Sequence, residues 1–424
     1  MENFTEYLYS KFLQSDGVSI DTRTIEEDNL FFGIKGPNFD GGAYAEQALE
    51  KGASFAVVQD KKYVNDPRII FAEDTTKALQ DLAIFHRGRF NKKRIVFGLT
   101  GSNGKTTTKE LINRVLSKKY ITHATQGNYN NHWGVPITIL HVHPQVEIAI
   151  IEMGANRVGE IAQLSGIANP THGLITNIGH AHTETFGGIE GVIRGKSELF
   201  DHLRKNGGQV FINTEDPVLS NMAKRFDDPV LYPGSDVKLA DTTPNLIIEM
   251  NGQRVETRQV GTYNFSNISA AIALGRYFTV PDDDIAEAIA TYEPDNWRSQ
   301  FVKKGDVSVI LDAYNANPSS MKLAIENLAG FSGRKVAILG GMEEVQDSEK
   351  AHLDVADQLR EHGIDAVLLL GDRTKVIHEK VEGSEWFAEK DGLEDYLENN
   401  KLKECTVLIK ASRAANMETL INHI

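Results

Sequence analysis

An α/β protein of three domains with largely parallel sheets is predicted by three features of the sequence. Short β-rich apolar runs alternate with helical patterns from end to end. One of those runs empties into a glycine loop that opens a helix. The chain, at 424 residues, is too long for one ordinary core and suits two or three.

In the first ninety residues, "LFFGIKG" (30–36), "FAVVQD" (55–60) and "RIIFAED" (68–74) read as strands. "GGAYAEQALEKGA" between the first two is a short helix closed by Gly52. The basic segment "HRGRFNKKR" (86–94) reads as a linker, which places a small N-terminal α/β domain at 1–92. "RIVFGLT" (94–100) is the strand entering the glycine loop. "TTTKELINRVLSKK" then sets Leu111, Ile112, Val115 and Leu116 on one helical face. Strands follow at "VEIAIIEMG" (146–154), "HGLITNIG" (172–179) and "QVFIN" (209–213), with a buried helix at "ISAAIALGRYF" (268–278). Asn251-Gly252 between two extended runs signals a type I′ hairpin. Pro, Asp and Gly interrupt the pattern at "EPDNWRSQFVKKGD" (293–306), so the central domain is placed at 93–301 and a C-terminal domain at 302–424. The latter alternates "VSVILDAY", "KVAILGG", "AVLLLG" and "TVLIKAS" with helices, a Rossmann-like doubly wound pattern. The two junctions, near 92 and 302, are the expected hinges.

Composition narrows the class. A formal charge of −14 argues against general nucleic-acid or membrane-surface binding. No apolar run is long enough to span a bilayer, and "MENFTEYLYSKF" lacks the basic-then-apolar order of a signal peptide. A single cysteine, Cys405, leaves no intrachain disulfide and suits a reducing cytoplasm.

Chemistry concentrates in "GLTGSNGKTTTKE" (98–110). The general phosphate-loop pattern G-x-x-x-x-G-K-S/T wants glycine at position 99, where leucine stands. The rest is present: small residues from Thr100 and Gly101 through Ser102, Asn103 and Gly104 let backbone N–H groups turn inward toward phosphate oxygens. The following helix adds its positive end, Lys105 can reach the β- and γ-phosphates, and Thr106 and Thr107 offer hydroxyls, that of Thr106 to Mg²⁺. An ordinary glycine turn capping a helix is the plain alternative. Glu152, ending an apolar strand, holds the place of a metal-binding carboxylate; a solvated acid at a strand end would look the same. His180 and His182 end another strand. Without a cysteine or a third histidine nearby they do not suggest zinc; one imidazole beside an oxygen-rich Mg²⁺ fits better. Lys196, in "GKSELF", says nothing by itself.

Taken together, "TGSNGKTTTKE", "GNYNNHWGVP", "IEMGANRVGEI", "ITNIGHAHTETFGG", "GKSELF", "GTYNFSNISAA" and "DAYNANPSSM" resemble the Mur ligase family of peptidoglycan synthesis, over nearly the whole chain. Leucine at position 99 is normal for that family. The resemblance implies an ATP-dependent ligase that activates a carboxylate as an acyl phosphate and passes it to an amine. "DAYNANPSSM", the most subtype-specific element, implies UDP-N-acetylmuramoyl-tripeptide and D-alanyl-D-alanine as substrates. It further implies that Lys105 and Thr106 hold phosphate and one Mg²⁺, that Glu152 and His182 (not His180) bind metal, and that a second Mg²⁺ is held with the help of an N-carbamoylated Lys196. Asn264 and Asn267 match adenine-side asparagines, though both could simply cap the next helix. Arg298 and Asp312 match residues at the junction of the central and C-terminal domains that meet phosphate and ribose. Asn130 and Asn131 would line the acceptor path. Asp21, Arg23, Lys35 and Gly36 would face the UDP moiety, in "SIDTRTIEEDNLFFGIKGPNFDGGAYAEQALEKGA"; Arg23 could equally form a surface ion pair. Tyr314, Asn315 and Asn317 fall in the dipeptide-side motif. Three departures stand out: Gly341 where the family has aspartate, Ala411 where it has glycine, and Thr183 where leucine is common. The implied protein is a cytoplasmic monomer that inserts in no membrane and binds no nucleic acid. A sibling ligase adding another amino acid, and a nucleotide-driven switch without ligase chemistry, remain open alternatives.

Overall fold

The computed structural model describes residues 3–294, 297–343 and 345–424. Asp295 and Asn296 of the expected second boundary, and Glu344 of the "LGGMEEVQDS" segment, lie outside the described residues.

The first sheet has four parallel strands in chain order, Val18–Ser19, Leu30–Gly33, Phe55–Val58 and Ile69–Phe71. Each expected strand is present but shorter at its C-terminal end. A 3₁₀ turn at Gly41–Tyr44 leads into the helix Ala45–Glu50, after which Gly52 takes φ +108°. The helix Thr75–Arg87 starts on the Asp74 carboxylate, which accepts from Lys77 N, and runs into the segment expected to be linker.

The central sheet has six parallel strands, ordered Val230–Tyr232, Gln209–Asn213, His172–Ile175, Ile95–Thr100, Ile148–Glu152, Thr122–Ala124. The strand feeding the glycine loop therefore lies inside the sheet, with helices on both faces. A three-stranded antiparallel sheet sits beside it: Val237–Asp241, Ile247–Met250 and Gln253–Glu256. Its second turn is the expected hairpin, with Asn251 at φ +51° and Gly252 at φ +77°.

The third sheet is ordered Gln300–Lys304, Val307–Asp312, Cys405–Lys410, Arg334–Gly340, Ala366–Leu370, Glu385–Phe387. All pairs are parallel except the first, which is an antiparallel hairpin turning at Gly305. The strand Gln300–Lys304 was not foreseen, and the expected 301/302 boundary falls inside it.

Packing distinguishes the two junctions. One continuous apolar core joins Leu8, Leu30, Leu79, Leu82 and Phe90 to Val96, Val135, Ile139 and Ile151, so the first and second domains share it. Arg87 donates to Ala168 O and Asn169 O, and Arg94 to Val146 O and Pro144 O. Trp133 Nε1 also donates to Thr76 Oγ1 at 3.0 Å. Where the sequence suggested a hinge near 92, the structure has a riveted seam. The third sheet instead packs two further cores, one on each face, and from the second domain only Val260 joins one of them among its buried residues.

Candidate active site

The glycine loop follows the strand Ile95–Thr100, and its shape explains its residues. Gly101 lies so close to Thr176 that an added Cβ would stand 1.9 Å from Thr176 Oγ1. Gly104 sits at φ +75° and starts the helix Lys105–Leu116; a Cβ there would come within 2.6 Å of Asn267 Oδ1. Neighbouring strand ends pin the loop. Asn103 N donates to Asn177 Oδ1, while Thr176 Oγ1 and Asn177 Nδ2 donate to Asn103 O. Ser102 Oγ donates to Gly179 O. The Lys105 ammonium folds back on the loop, donating to Gly101 O at 2.9 Å. Its burial lowers its pKa, an effect Glu152 counters and Arg298 reinforces.

Opposite the loop, Glu152 is buried at the end of its strand. Thr125 Oγ1 accepts from Glu152 N, fixing the backbone. One carboxylate oxygen, Oε1, accepts from Asn130 Nδ2 at 2.8 Å and lies 3.4 Å from Thr106 Oγ1. The other, Oε2, is buried with no hydrogen-bond partner among the described residues. An orphaned carboxylate oxygen beside a threonine hydroxyl and a lysine ammonium suits a divalent cation held with phosphate oxygens. The solvated-acid alternative for Glu152 is excluded by its burial. Among the described residues, no three His, Cys, Asp or Glu side chains converge as a ready-made metal site.

These groups line one cleft of about 1590 Å³ walled by all three domains. Ser102, Asn103, Gly104, Lys105, Thr106, Thr107, Asn130, Asn131, Glu152, His182, Asn264, Asn267, Arg298, Asp312, Tyr314 and Asn315 all face it. His180 does not; its backbone N–H donates to Ser319 Oγ instead. Asn264 and Asn267 do not cap the helix Asn264–Tyr277. Asn264 Nδ2 donates to Val260 O, Asn267 Nδ2 donates to Asn264 Oδ1, and Asn267 Oδ1 accepts from Thr108 Oγ1, which ties that helix to the glycine-loop helix. Asn131 Oδ1 accepts from Trp133 N and Gly134 N. Arg298 stacks on Tyr314 with 3.6 Å from guanidinium carbon to ring centroid. Asn317 caps the helix Pro318–Ala329 and donates from Nδ2 to Asn103 Oδ1 at 2.7 Å, a direct bond from the third domain to the glycine loop.

Thr100, Gly101 and Lys196 are buried and not among the cleft-lining residues. Lys196 is 1% exposed, with Nζ 3.3 Å from Ala155 O. Burial, with Lys105 nearby, holds its pKa well below the ordinary lysine value, favouring the neutral amine. Asp21, Arg23, Lys35 and Gly36 do not line the cleft. Asp21 and Arg23 close on each other, Arg23 Nη2 to Asp21 Oδ2 at 2.6 Å, which holds the Asp21 carboxyl down at about 2. The first domain's wall is instead the helix Thr75–Arg87 with Asp74, through Thr76, Lys77, Gln80, Asp81 and Ile84. Neither that wall nor Lys410, buried at the cleft beside Asp312, was anticipated. The available signal for Lys410 was a cation ending a strand that is apolar from Val407 to Ile409.

The fold and the site define a three-domain protein built round a phosphate-binding loop. Comparison with known proteins narrows this. Residues 14–86 match the Mur ligase family catalytic domain, 99–275 the Mur ligase middle domain, and 297–413 the Mur ligase glutamate ligase domain. The chain is 36% identical to the UDP-N-acetylmuramoyl-tripeptide–D-alanyl-D-alanine ligase of Bacillus subtilis, with 96% of this chain and 93% of that one covered. Among solved structures, MurF from Acinetobacter baumannii superposes with a TM-score of 0.87 at 28% identity, covering 99% and 97% of the two chains. MurF from Thermotoga maritima in complex with ADP gives 0.85 at 29% identity, covering 97% of each. The chain belongs to the Mur ligase family.

Proposed function

We propose that this chain is an ATP-dependent ligase that joins D-alanyl-D-alanine to UDP-N-acetylmuramoyl-tripeptide in peptidoglycan precursor synthesis. The observation that carries the reading is the convergence of Lys105, Thr106, Asn130 and Glu152 on a cleft walled by three domains, in a chain so similar to a ligase of that name.

A tripeptide carboxylate oxygen attacks the γ-phosphorus, and the bond to the β–γ bridging oxygen breaks, releasing ADP. The dipeptide amine then attacks the acyl carbon of the acyl phosphate, phosphate leaves with the bonding pair, and the amine proton is lost. The protein's work is positioning, charge neutralisation and exclusion of water. Lys105 exchanges the carbonyls of Gly101 and Ser102 for phosphate oxygens. Glu152 and Thr106, with His182 of the same cleft, would hold Mg²⁺, and a carbamoylated Lys196 would serve a second ion. Bound Mg²⁺ would neutralise charge on the transferred phosphoryl group. Asn130 keeps Glu152 oriented. Asn264 and Asn267 serve the adenine side, and Arg298 and Asp312 serve phosphate and ribose at the domain junction. Asn131, Tyr314, Asn315 and Asn317 form the acceptor side. The UDP moiety would reach beyond the cleft toward Asp21, Arg23, Lys35 and Gly36, where Arg23 must leave Asp21 to meet a pyrophosphate. The buried, neutral Lys196 amine is the form that attacks CO₂, losing a proton to give the carbamate. Work in a reducing cytoplasm fits the single cysteine; work as a monomer is part of the same reading, and among the described residues no helix is long and apolar enough to cross a membrane.

The test is phosphate release from ATP and Mg²⁺ with each substrate omitted in turn. The ligase requires both UDP-muramoyl-tripeptide and the D,D-dipeptide. Release indifferent to the dipeptide would support a nucleotide switch instead.

A further inference from the structure

We propose that Lys410 is a positioning residue that sets the Asp312 carboxylate, and through it locks the linker between the second and third domains. It deepens the reading above, which places Asp312 at the nucleotide.

Lys410 ends the strand Cys405–Lys410, buried along its whole length inside the third sheet. Its side chain is 1% exposed, yet it is a cleft residue. The ammonium lies 2.5 Å from Asp312 Oδ2 and 3.1 Å from Asn315 O. Asp312 ends the adjacent strand in direct register with Lys410. Its other oxygen, Oδ1, accepts from Ser299 N in the linker at 3.2 Å. Ser299 Oγ in turn stands 2.7 Å from Tyr263 OH, at the start of the central-domain helix that carries Asn264 and Asn267. The chain Lys410–Asp312–Ser299–Tyr263 thus runs from the third sheet to the nucleotide side of the second domain.

Two further observations favour positioning over plain stability. Trp297 and Ser299 hold φ of +55° and +54°, a left-handed conformation that side-chain-bearing residues adopt only when their surroundings impose it. The Asp312 bond to Ser299 N is one such imposition. Buried ion pairs, moreover, contribute little net stability, because desolvation offsets their attraction. A pair of a buried lysine and a half-buried carboxylate at a cleft wall, one oxygen spent on the linker backbone, is better explained by where it holds the carboxylate.

The test uses the full chain and ADP. Binding is measured by calorimetry for wild type, Lys410→Met, Asp312→Asn and the double variant, alongside thermal midpoints. If Lys410 acts through Asp312, Lys410→Met weakens ADP at least tenfold, and adding it to Asp312→Asn changes the affinity less than threefold. Should Lys410→Met fail to fold because Asp312 is left charged and alone, the double variant removes both charges, and its comparison with Asp312→Asn decides alone. Independent losses in the double variant overturn the proposal, as does a Lys410→Met protein that melts earlier yet binds ADP as wild type does. ADP affinity is read without turnover, so a failure of the ligase reading shows in phosphate release and remains distinguishable.

Discussion

Replacing Gly104 by alanine is expected to destabilise the central domain by an amount the structure specifies. Gly104 holds φ +75° at the head of the glycine-loop helix. Alanine in that left-handed region costs about 1–2 kcal/mol. The new Cβ would lie 2.6 Å from Asn267 Oδ1, too close to coexist, so Asn267 must swing away. It then loses the bond from Thr108 Oγ1 at 3.0 Å and its own bond to Asn264 Oδ1 at 2.8 Å. Two buried hydrogen bonds at about 1 kcal/mol each bring the total to about 3–4 kcal/mol. Asn267→Ala alone forfeits the same two bonds, about 2 kcal/mol. With Asn267 already truncated, alanine at 104 keeps only its backbone strain. The double variant should therefore lose about 3–4 kcal/mol, not the 5–6 of simple addition, a coupling of about 2 kcal/mol. Urea unfolding of the four proteins, compared through their midpoints at a common slope, measures this. Additive losses, or a Gly104→Ala midpoint within about 1 kcal/mol of wild type, would refute the clash argument.

Three other outcomes are expected. Glu152→Gln keeps the shape and the bond to Asn130 but removes the charge beside Thr106; turnover should fall by about 10²–10³-fold with circular dichroism unchanged, and near-normal turnover would remove Glu152 from the metal site. Burial holds His86, His123 and His172 near a pKa of about 4, below the ordinary 6.5. The unfolded chain therefore takes up their protons first, so stability is level above about pH 6.5 and falls as the pH drops toward 4, by about 1–2 kcal/mol per histidine after discounting for partial exposure. Thermal midpoints from pH 7.5 to 4.5 should show this slope, and His172→Phe, set among Tyr277 and Phe278, should flatten it. Finally, Lys196→Ala should lose turnover and regain part of it in short carboxylates; an uncomplemented variant that stays active would rule out the carbamate.

Much of the local design was legible in the chain. Asn251-Gly252 needs two successive positive φ angles, which almost no other pair accepts, and the hairpin is there. The glycine loop was equally readable, because a strand, small residues and a lysine must be consecutive to wrap a phosphate. Strand ends were overestimated where β-like residues run past the last paired position, as at Ile34–Gly36, where Ile34 is buried and Lys35 makes only an isolated bridge to Asp40. The strand Gln300–Lys304 was hidden because it is partly exposed throughout and carries two lysines, so no apolar alternation announces it.

By itself, the sequence determined the alternation of strands and helices, the phosphate loop and the family, since each is written in neighbouring residues. Only the tertiary structure decided which side chains share the cleft. Asn103 meets Asn317 across 214 positions, and Lys410 meets Asp312 across 98. It also decided that the first junction is a packed seam, while the linker at 297–299 is held by a carboxylate. Such pairings follow from sheet order and from burial shared between distant segments, and no local pattern records either.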